Sequence, residues 1–321
     1  MQVVPDKSQA INPVLFNSIY LTMMKLIFTI ALMIFVVELT NAQEITLPFK
    51  GVTLNANLEF ATNKNYADGV ILMTHSGLAH NGLETMQALQ SKLKQFGYNT
   101  LAINLSLGLD NRHGMYDCKV SHHHRYADAA EEIGAWLAWL KKQGVAKVVL
   151  LGHSRGAGQT ALYAAEHKES LVNAVILLAP DTQATNDASA FQKRHNKPLS
   201  TVLEQAQKLV TQGKGDTVLE HTGILYCTDT TVSANTIISY YGNDPRLDTP
   251  YLIPKIKQPT LVLIAGNDEV VVGFDTKFSA LHDGKRIFIK TLEGADHFLR
   301  DLYADDAVDE IKAFLINTAK F

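Results

Sequence analysis

Residues 148–158 read VVLLGHSRGAG, and no other stretch of the 321-residue chain restricts its fold as tightly. The apolar run at its start has the character of a strand covered on both faces, and the small residues at its end open a helix. Between them stands Gly152-His153-Ser154-Arg155-Gly156. A corner this tight needs backbone angles that are cheap only without a Cβ, and side chains at Gly152 and Gly156 would collide with the neighbouring strand or helix. The turn therefore lifts Ser154 clear of the sheet at a helix N-terminus, where backbone N–H groups and the helix dipole favour developing negative charge.

The rest of the chain repeats the strand–helix rhythm. Paired N-terminal strands with alternating apolar positions are expected over residues 45–50 and 52–60. Short apolar runs at 69–74, 99–105, 147–151, 174–178, 260–265 and 286–291 read as strands buried on both sides. Stretches of helical period lie between them at 83–96, 126–142, 156–167, 274–282 and 307–319. Such alternation predicts an α/β architecture, a mostly parallel sheet of about eight strands with helices on both faces. The region from about 181 to 257 breaks the rhythm: it is polar, with a weak helical pattern at 199–212 and no strong buried strand. It reads as a small cap insertion above the pocket. Trp136 and Trp139, three residues apart on an apolar helical stripe, are expected to be core.

The N-terminus reads differently. Residues 24–43, MKLIFTIALMIFVVELTNAQ, place Lys25 before an unbroken apolar run and small residues after it. That order predicts a secretory signal peptide with cleavage near Ala42, in a run too short to span a bilayer comfortably. Residues 1–42 are thus expected to be leader and upstream extension, and 43–321 the folded domain, periplasmic or secreted, with no stable membrane span after cleavage. Export would bring Cys118 and Cys227, the only cysteines, into an oxidising compartment. The sequence leaves open whether they pair.

A composition of 46% hydrophobic and 19% charged residues supplies one sizeable core. The net charge is −3, and lysine and arginine form no basic run, which argues against nucleic acid as a partner.

Strand, G-x-S-x-G and helix together match a nucleophile elbow. A serine is inert near neutral pH without a base, and the base needs an orienting acid. Downstream, Asp268 follows the strand at 260–265 and His297 lies in the loop after the strand at 286–291. Asp181, after the strand at 174–178, is the rival acid. The Arg155 amide supplies one oxyanion donor, and the loop His75-Ser76-Gly77-Leu78 the other, with Gly77 favoured over Ser76 or Leu78. His153, beside the nucleophile, is expected to pack beneath the elbow.

Elbow, acid, base and oxyanion loop in this order resemble the α/β-hydrolase superfamily, over nearly all of the chain from about Ile45. Asp110-Asn111-Arg112-His113-Gly114 is similar to an Asp-x-Arg turn that many members carry after the fourth strand, where Asp110 and Arg112 are structural. The resemblance implies a cofactor-free hydrolytic site without metal, with Ser154 as nucleophile, His297 as base and Asp268 as its acid. Its expected partner is a small-molecule ester or related acyl compound. The alternatives are a serine aminopeptidase-like or thioesterase activity, or a non-catalytic binding protein on the same fold. An aminopeptidase would need an acidic cluster in the cap, for which Asp244 and Asp248 are candidates. The cap tyrosines Tyr226, Tyr240 and Tyr241 suggest a mixed apolar and aromatic pocket. The run His122-His123-His124 is read as a solvated helix start rather than a metal site, because consecutive helical residues point in different directions.

Overall fold

In β3 (Val70–Thr74) and β5 (Val148–His153) every residue is buried, and alternate side chains serve two different cores. Val70, Leu72, Val148 and Leu150 face one, whereas Ile71, Met73, Val149 and Leu151 face the other. Period-two alternation with both faces apolar is the sequence consequence of a sheet sandwiched between helices.

The computed structural model describes residues 42–186, 188–271 and 277–321; the expected leader lies outside the described residues. Eight strands form one sheet in the order β1-β2-β4-β3-β5-β6-β9-β10. The remaining strands of this sheet are β1 (Gln43–Phe49), β2 (Val52–Glu59), β4 (Thr100–Asn104), β6 (Val172–Leu178), β9 (Thr260–Ala265) and β10 (Ile287–Leu292). The β1–β2 and β2–β4 pairings are antiparallel, and every later pairing is parallel.

Helices α2 (Asp128–Lys142) and α3 (Arg155–Glu166) cover one face, burying Trp136, Leu140, Ala161 and Leu162. Helices α1 (Glu84–Gln95) and α8 (Tyr303–Phe314) cover the other with Met86, Leu93, Ile311 and Phe314. Trp136 is fully buried and meets Trp139 edge to face. The helix expected at 274–282 is, in its described part, a single 3-10 turn at Ser279–Leu281. Asp283 accepts the amides of Lys285, Arg286 and Ile287 and turns the chain straight into β10. Among the described residues no helix is long and apolar enough to cross a membrane.

Between β6 and β9 lie α4 (Ala188–His195), α5 (Leu199–Thr211), α6 (Ala234–Tyr241) and the one-turn α7 (Thr249–Leu252). This segment also holds two strands that sequence reading missed, β7 (Val218–Ile224) and β8 (Cys227–Ser233), paired as an antiparallel hairpin. Only some of the hairpin's residues are buried, so its apolar signal is too weak to read as a core strand. The two cysteines do pair: Cys118, in the β4–α2 connection, is disulfide-bonded to Cys227 at the start of β8. That connection is sewn to the hairpin further along, by His122 N–H to the Thr231 carbonyl at 2.8 Å and Ser233 N–H to the His122 carbonyl at 2.9 Å.

Candidate active site

Ser154 sits between β5 and α3 with φ 56° and ψ −125°, a strained conformation for a residue with a side chain. The elbow's glycines are sterically obligatory. A Cβ at Gly152 would come within 2.4 Å of the Gly156 carbonyl oxygen, and one at Gly156 within 2.2 Å of the His75 carbonyl oxygen. Both obstacles are backbone and cannot step aside.

The loops that leave β9 and β10 bring their side chains to this serine. His297 Nε2 lies 2.8 Å from Ser154 Oγ, and His297 Nδ1 lies 2.7 Å from Asp268 Oδ2. The other Asp268 oxygen accepts the Val270 and Val271 amides, both at 2.8 Å, so the turn that carries the carboxylate also orients it. With Nδ1–H directed at Asp268, Nε2 is left to accept the Ser154 hydroxyl proton. The side chains of His297 and Asp268 are only 4% and 1% exposed, so this relay is shielded from water. Beneath it, His153 Nε2 donates to the His297 carbonyl oxygen at 2.8 Å. Burial, with the neighbouring His297 second, lowers the His153 pKa to about 4 and keeps that ring neutral.

Asp181 is elsewhere engaged. It forms a buried ion pair with Arg155 at 3.3 Å and receives the Thr249 hydroxyl at 3.4 Å. Burial raises its pKa to about 6, with the Arg155 charge opposing. The Arg155 guanidinium also lies over the rings of Tyr126 and Tyr240, at 5.9 and 5.7 Å.

The loop at residues 75–78, the expected source of the second oxyanion donor, is held from behind. The buried His75 bonds the Ser76 carbonyl through Nδ1 at 3.1 Å, while its Nε2 accepts the Leu105 amide at 3.0 Å. Arg112 stands 3.3 Å from the same Nε2. Burial first, and the Arg112 charge second, lower the His75 pKa to about 3, so the ring is neutral with its proton on Nδ1. In a trans peptide N–H and C=O point oppositely. Tethering the Ser76 carbonyl therefore turns the Gly77 N–H away from His75. Gly77, Ser154 and Arg155 line one cavity of about 320 Å³. As expected, Asp110 and Arg112 hold loops: Asp110 accepts the Thr53 amide, and Arg112 donates to the Leu105 and Gly114 carbonyls.

The cavity walls are largely apolar, with Leu78, Leu83, Met115, Leu225, Val271 and Phe298. Tyr226 joins them, but Tyr240 and Tyr241 lie in the cap's interior, against the expectation from sequence. Tyr240 bonds His124, and Tyr241 accepts the Leu225 amide. Asp244 and Asp248 are also outside the cavity lining; Asp244 pairs with Arg246 and Asp248 with Lys277. The solvated helix start expected at 122–124 is a further correction. His122 and His124 precede α2 in extended chain, so both point inward and are buried. They form a chain from His122 to His124 (3.1 Å) to the Tyr240 hydroxyl (2.9 Å). The only sequence signal for it is the two-residue spacing, which puts alternate residues of an extended segment on one side.

The parallel sheet with its antiparallel start, the elbow after β5 and loops from β9 and β10 converging on it make up the α/β-hydrolase fold. The chain belongs to the family described as protein of unknown function DUF1749, whose profile matches residues 55–311. No curated protein sequence matches it significantly. Among solved structures, it resembles Est1E from Butyrivibrio proteoclasticus with bound ferulic acid, at 17% identity and TM-score 0.63 over 86% of this chain and 100% of that one. An esterase from Pyrococcus furiosus is 15% identical at TM-score 0.59, over 86% of this chain and 91% of that one. The esterase domain of a Rhodothermus marinus protein is 18% identical at TM-score 0.53, over 85% and 98%. At these identities the likeness is one of fold.

Proposed function

We propose that the protein is a serine hydrolase that cleaves small carboxylic esters through an acyl-enzyme on Ser154. The observation that carries this reading is the continuous Asp268–His297–Ser154 relay, at 2.7 and 2.8 Å, ending on a strained serine. His297 takes the hydroxyl proton as Ser154 attacks the carbonyl carbon, and Asp268 stabilises the imidazolium. The amides of Gly77 and Arg155 receive the charge that develops on the carbonyl oxygen. His297 then returns its proton to the leaving alcohol. Water, activated by the same base, releases the acid and restores the serine. Acyl transfer of this kind needs neither metal nor cofactor.

The largely apolar cavity walls favour a short or medium acyl group. Two of the structural neighbours, from Pyrococcus and Rhodothermus, carry esterase in their names, which agrees with that choice. A thioester would follow the same path. Aminopeptidase action is disfavoured because Asp181, the acidic residue lining the cavity among the described residues, is already matched by Arg155. For the intact chain we read residues 1–42 as a cleaved leader and the mature protein as periplasmic or secreted; N-terminal sequencing of protein from its producing cell tests that cleavage near Ala42.

A fluorophosphonate probe should label the parent protein at Ser154 and leave the Ser154→Ala variant unlabelled, with p-nitrophenyl ester hydrolysis lost in step. A folded parent that neither labels nor hydrolyses any ester or thioester in a chain-length series overturns the reading.

A further inference from the structure

The side of the oxyanion loop away from His75 is gripped by the cap. The Leu78 carbonyl, one residue past Gly77, accepts the Tyr116 amide at 3.0 Å. The Tyr116 carbonyl in turn accepts the Tyr226 hydroxyl at 2.9 Å, and the same hydroxyl lies 3.4 Å from the Leu78 carbonyl. Tyr226 stands on the β7–β8 turn, next to Cys227, and Cys227 is bonded to Cys118, two residues past Tyr116. The Thr230 hydroxyl adds a hydrogen bond to the Cys118 carbonyl at 2.6 Å. A short covalent and hydrogen-bonded circuit thus runs from Leu78 through Tyr116 and Cys118 to the cap hairpin, and back through Tyr226.

We propose that Tyr226, held in register by the Cys118–Cys227 disulfide, is a positioning residue for the oxyanion loop, fixing the segment that carries the Gly77 amide. This rests on the serine-hydrolase reading and deepens it: the cap is a working part of the oxyanion site, and an intact disulfide is a condition of full turnover. The physical reason is preorganisation. An oxyanion donor stabilises the transition state only if it is already aimed where charge develops. Ser76 and Gly77 are the partly exposed residues of an otherwise buried loop, so the Gly77 amide is aimed only as well as the carbonyls on either side of it are held. His75 anchors the carbonyl before Gly77, and the cap anchors the carbonyl after it. Tyr226 is 44% exposed, so its ring is not needed to fill a core and its hydroxyl is separable from the fold.

The test compares the parent, Tyr226→Phe and the double variant Cys118→Ala/Cys227→Ala on p-nitrophenyl esters of increasing chain length, with fluorophosphonate labelling rates in parallel. Tyr226→Phe removes one oxygen and should lower kcat about tenfold, a fraction of the 10²–10³ lost when a whole oxyanion donor is deleted. KM should stay within about twofold, and the loss should be the same for every acyl group, because the effect lies on the shared oxyanion. The double variant should show the same pattern at a temperature where its circular dichroism matches the parent. Equal kcat in parent and Tyr226→Phe overturns the proposal. So does a change confined to KM, or one that varies with chain length, since either marks Tyr226 as a contact of the substrate alone. A parent protein that neither labels nor hydrolyses removes the hydrolase reading itself, a result distinct from these, and this inference falls with it.

Discussion

The Arg155 guanidinium and the Asp181 carboxylate lie 3.3 Å apart with side chains only 9% and 3% exposed. The pair joins the residue after Ser154 to the end of the neighbouring strand, and the Asp181 amide also approaches the Ser154 carbonyl, at 3.4 Å. Removing one member strands the other as a buried, uncompensated charge. Asp181→Leu or Arg155→Met should each cost about 3–5 kcal/mol in urea unfolding, and the double replacement should recover much of that. Strictly additive losses would show that the two charges do not interact.

The engagement of Asp181 with Arg155 leads to a division of labour between the two carboxylates. Asp268→Asn should lower kcat by about four orders of magnitude, because an amide at this position favours the wrong imidazole tautomer. Asp181→Asn, in contrast, should keep most of its activity per folded molecule. Steady-state kinetics on both variants decides, and survival of activity in Asp268→Asn with its loss in Asp181→Asn would reverse the assignment.

Stability should fall on mild acidification. Burial lowers the pKa of His75 and His124 to about 3 and of His122 and His153 to about 4, from an ordinary value of 6.5. These rings stay neutral in the fold, while the unfolded chain takes up their protons below about pH 6.5, so stability is lost as pH drops through that range. Glu132, raised by burial to about 7, works the other way: the fold holds its proton where the unfolded chain releases it. Its contribution therefore falls as pH rises from about 4.5 to 7. Thermal melts should show a lower midpoint at pH 5 than at pH 7.5. Glu132→Gln, which keeps acceptor and donor for Ser106, should gain on the parent as pH rises, and a constant difference between the two would refute the Glu132 part.

The disulfide closes a loop of 109 residues. A chain-entropy account puts the stabilisation from a loop of that size at about 4.7 kcal/mol. Reduction, or the Cys118→Ala/Cys227→Ala variant, should lower the urea midpoint, with an m-value equal to or above the parent's because the unlinked unfolded chain is less compact. An unchanged midpoint would mean that the connection and the hairpin are already fully ordered by their hydrogen bonds.

Much of this could be read along the chain because it is local. The strands at β3, β5 and β9 announce themselves by continuous apolar runs, and the elbow by glycines whose absent side chains are demanded by backbone atoms a few ångströms away. The order of Asp268 and His297 after Ser154 was likewise legible, since each follows a strand whose end lies at the same edge of a parallel sheet. The hairpin β7–β8 is not legible in the sequence because only some of its residues are buried, and burial is what writes an apolar pattern. His122 and His124 are hidden from a helical reading, which turns adjacent side chains apart, because the chain before α2 points alternate ones inward.

By itself, the sequence determined the alternating layers and the site of the strained serine, because strand burial and a tight corner each impose their demands on neighbouring residues. Only the tertiary structure decided that Cys118 meets Cys227, that Asp181 belongs to Arg155, and that Tyr226 reaches the loop after β3. Those pairings join segments tens of residues or more apart, and nothing in local periodicity records which distant groups a fold will bring within hydrogen-bonding range.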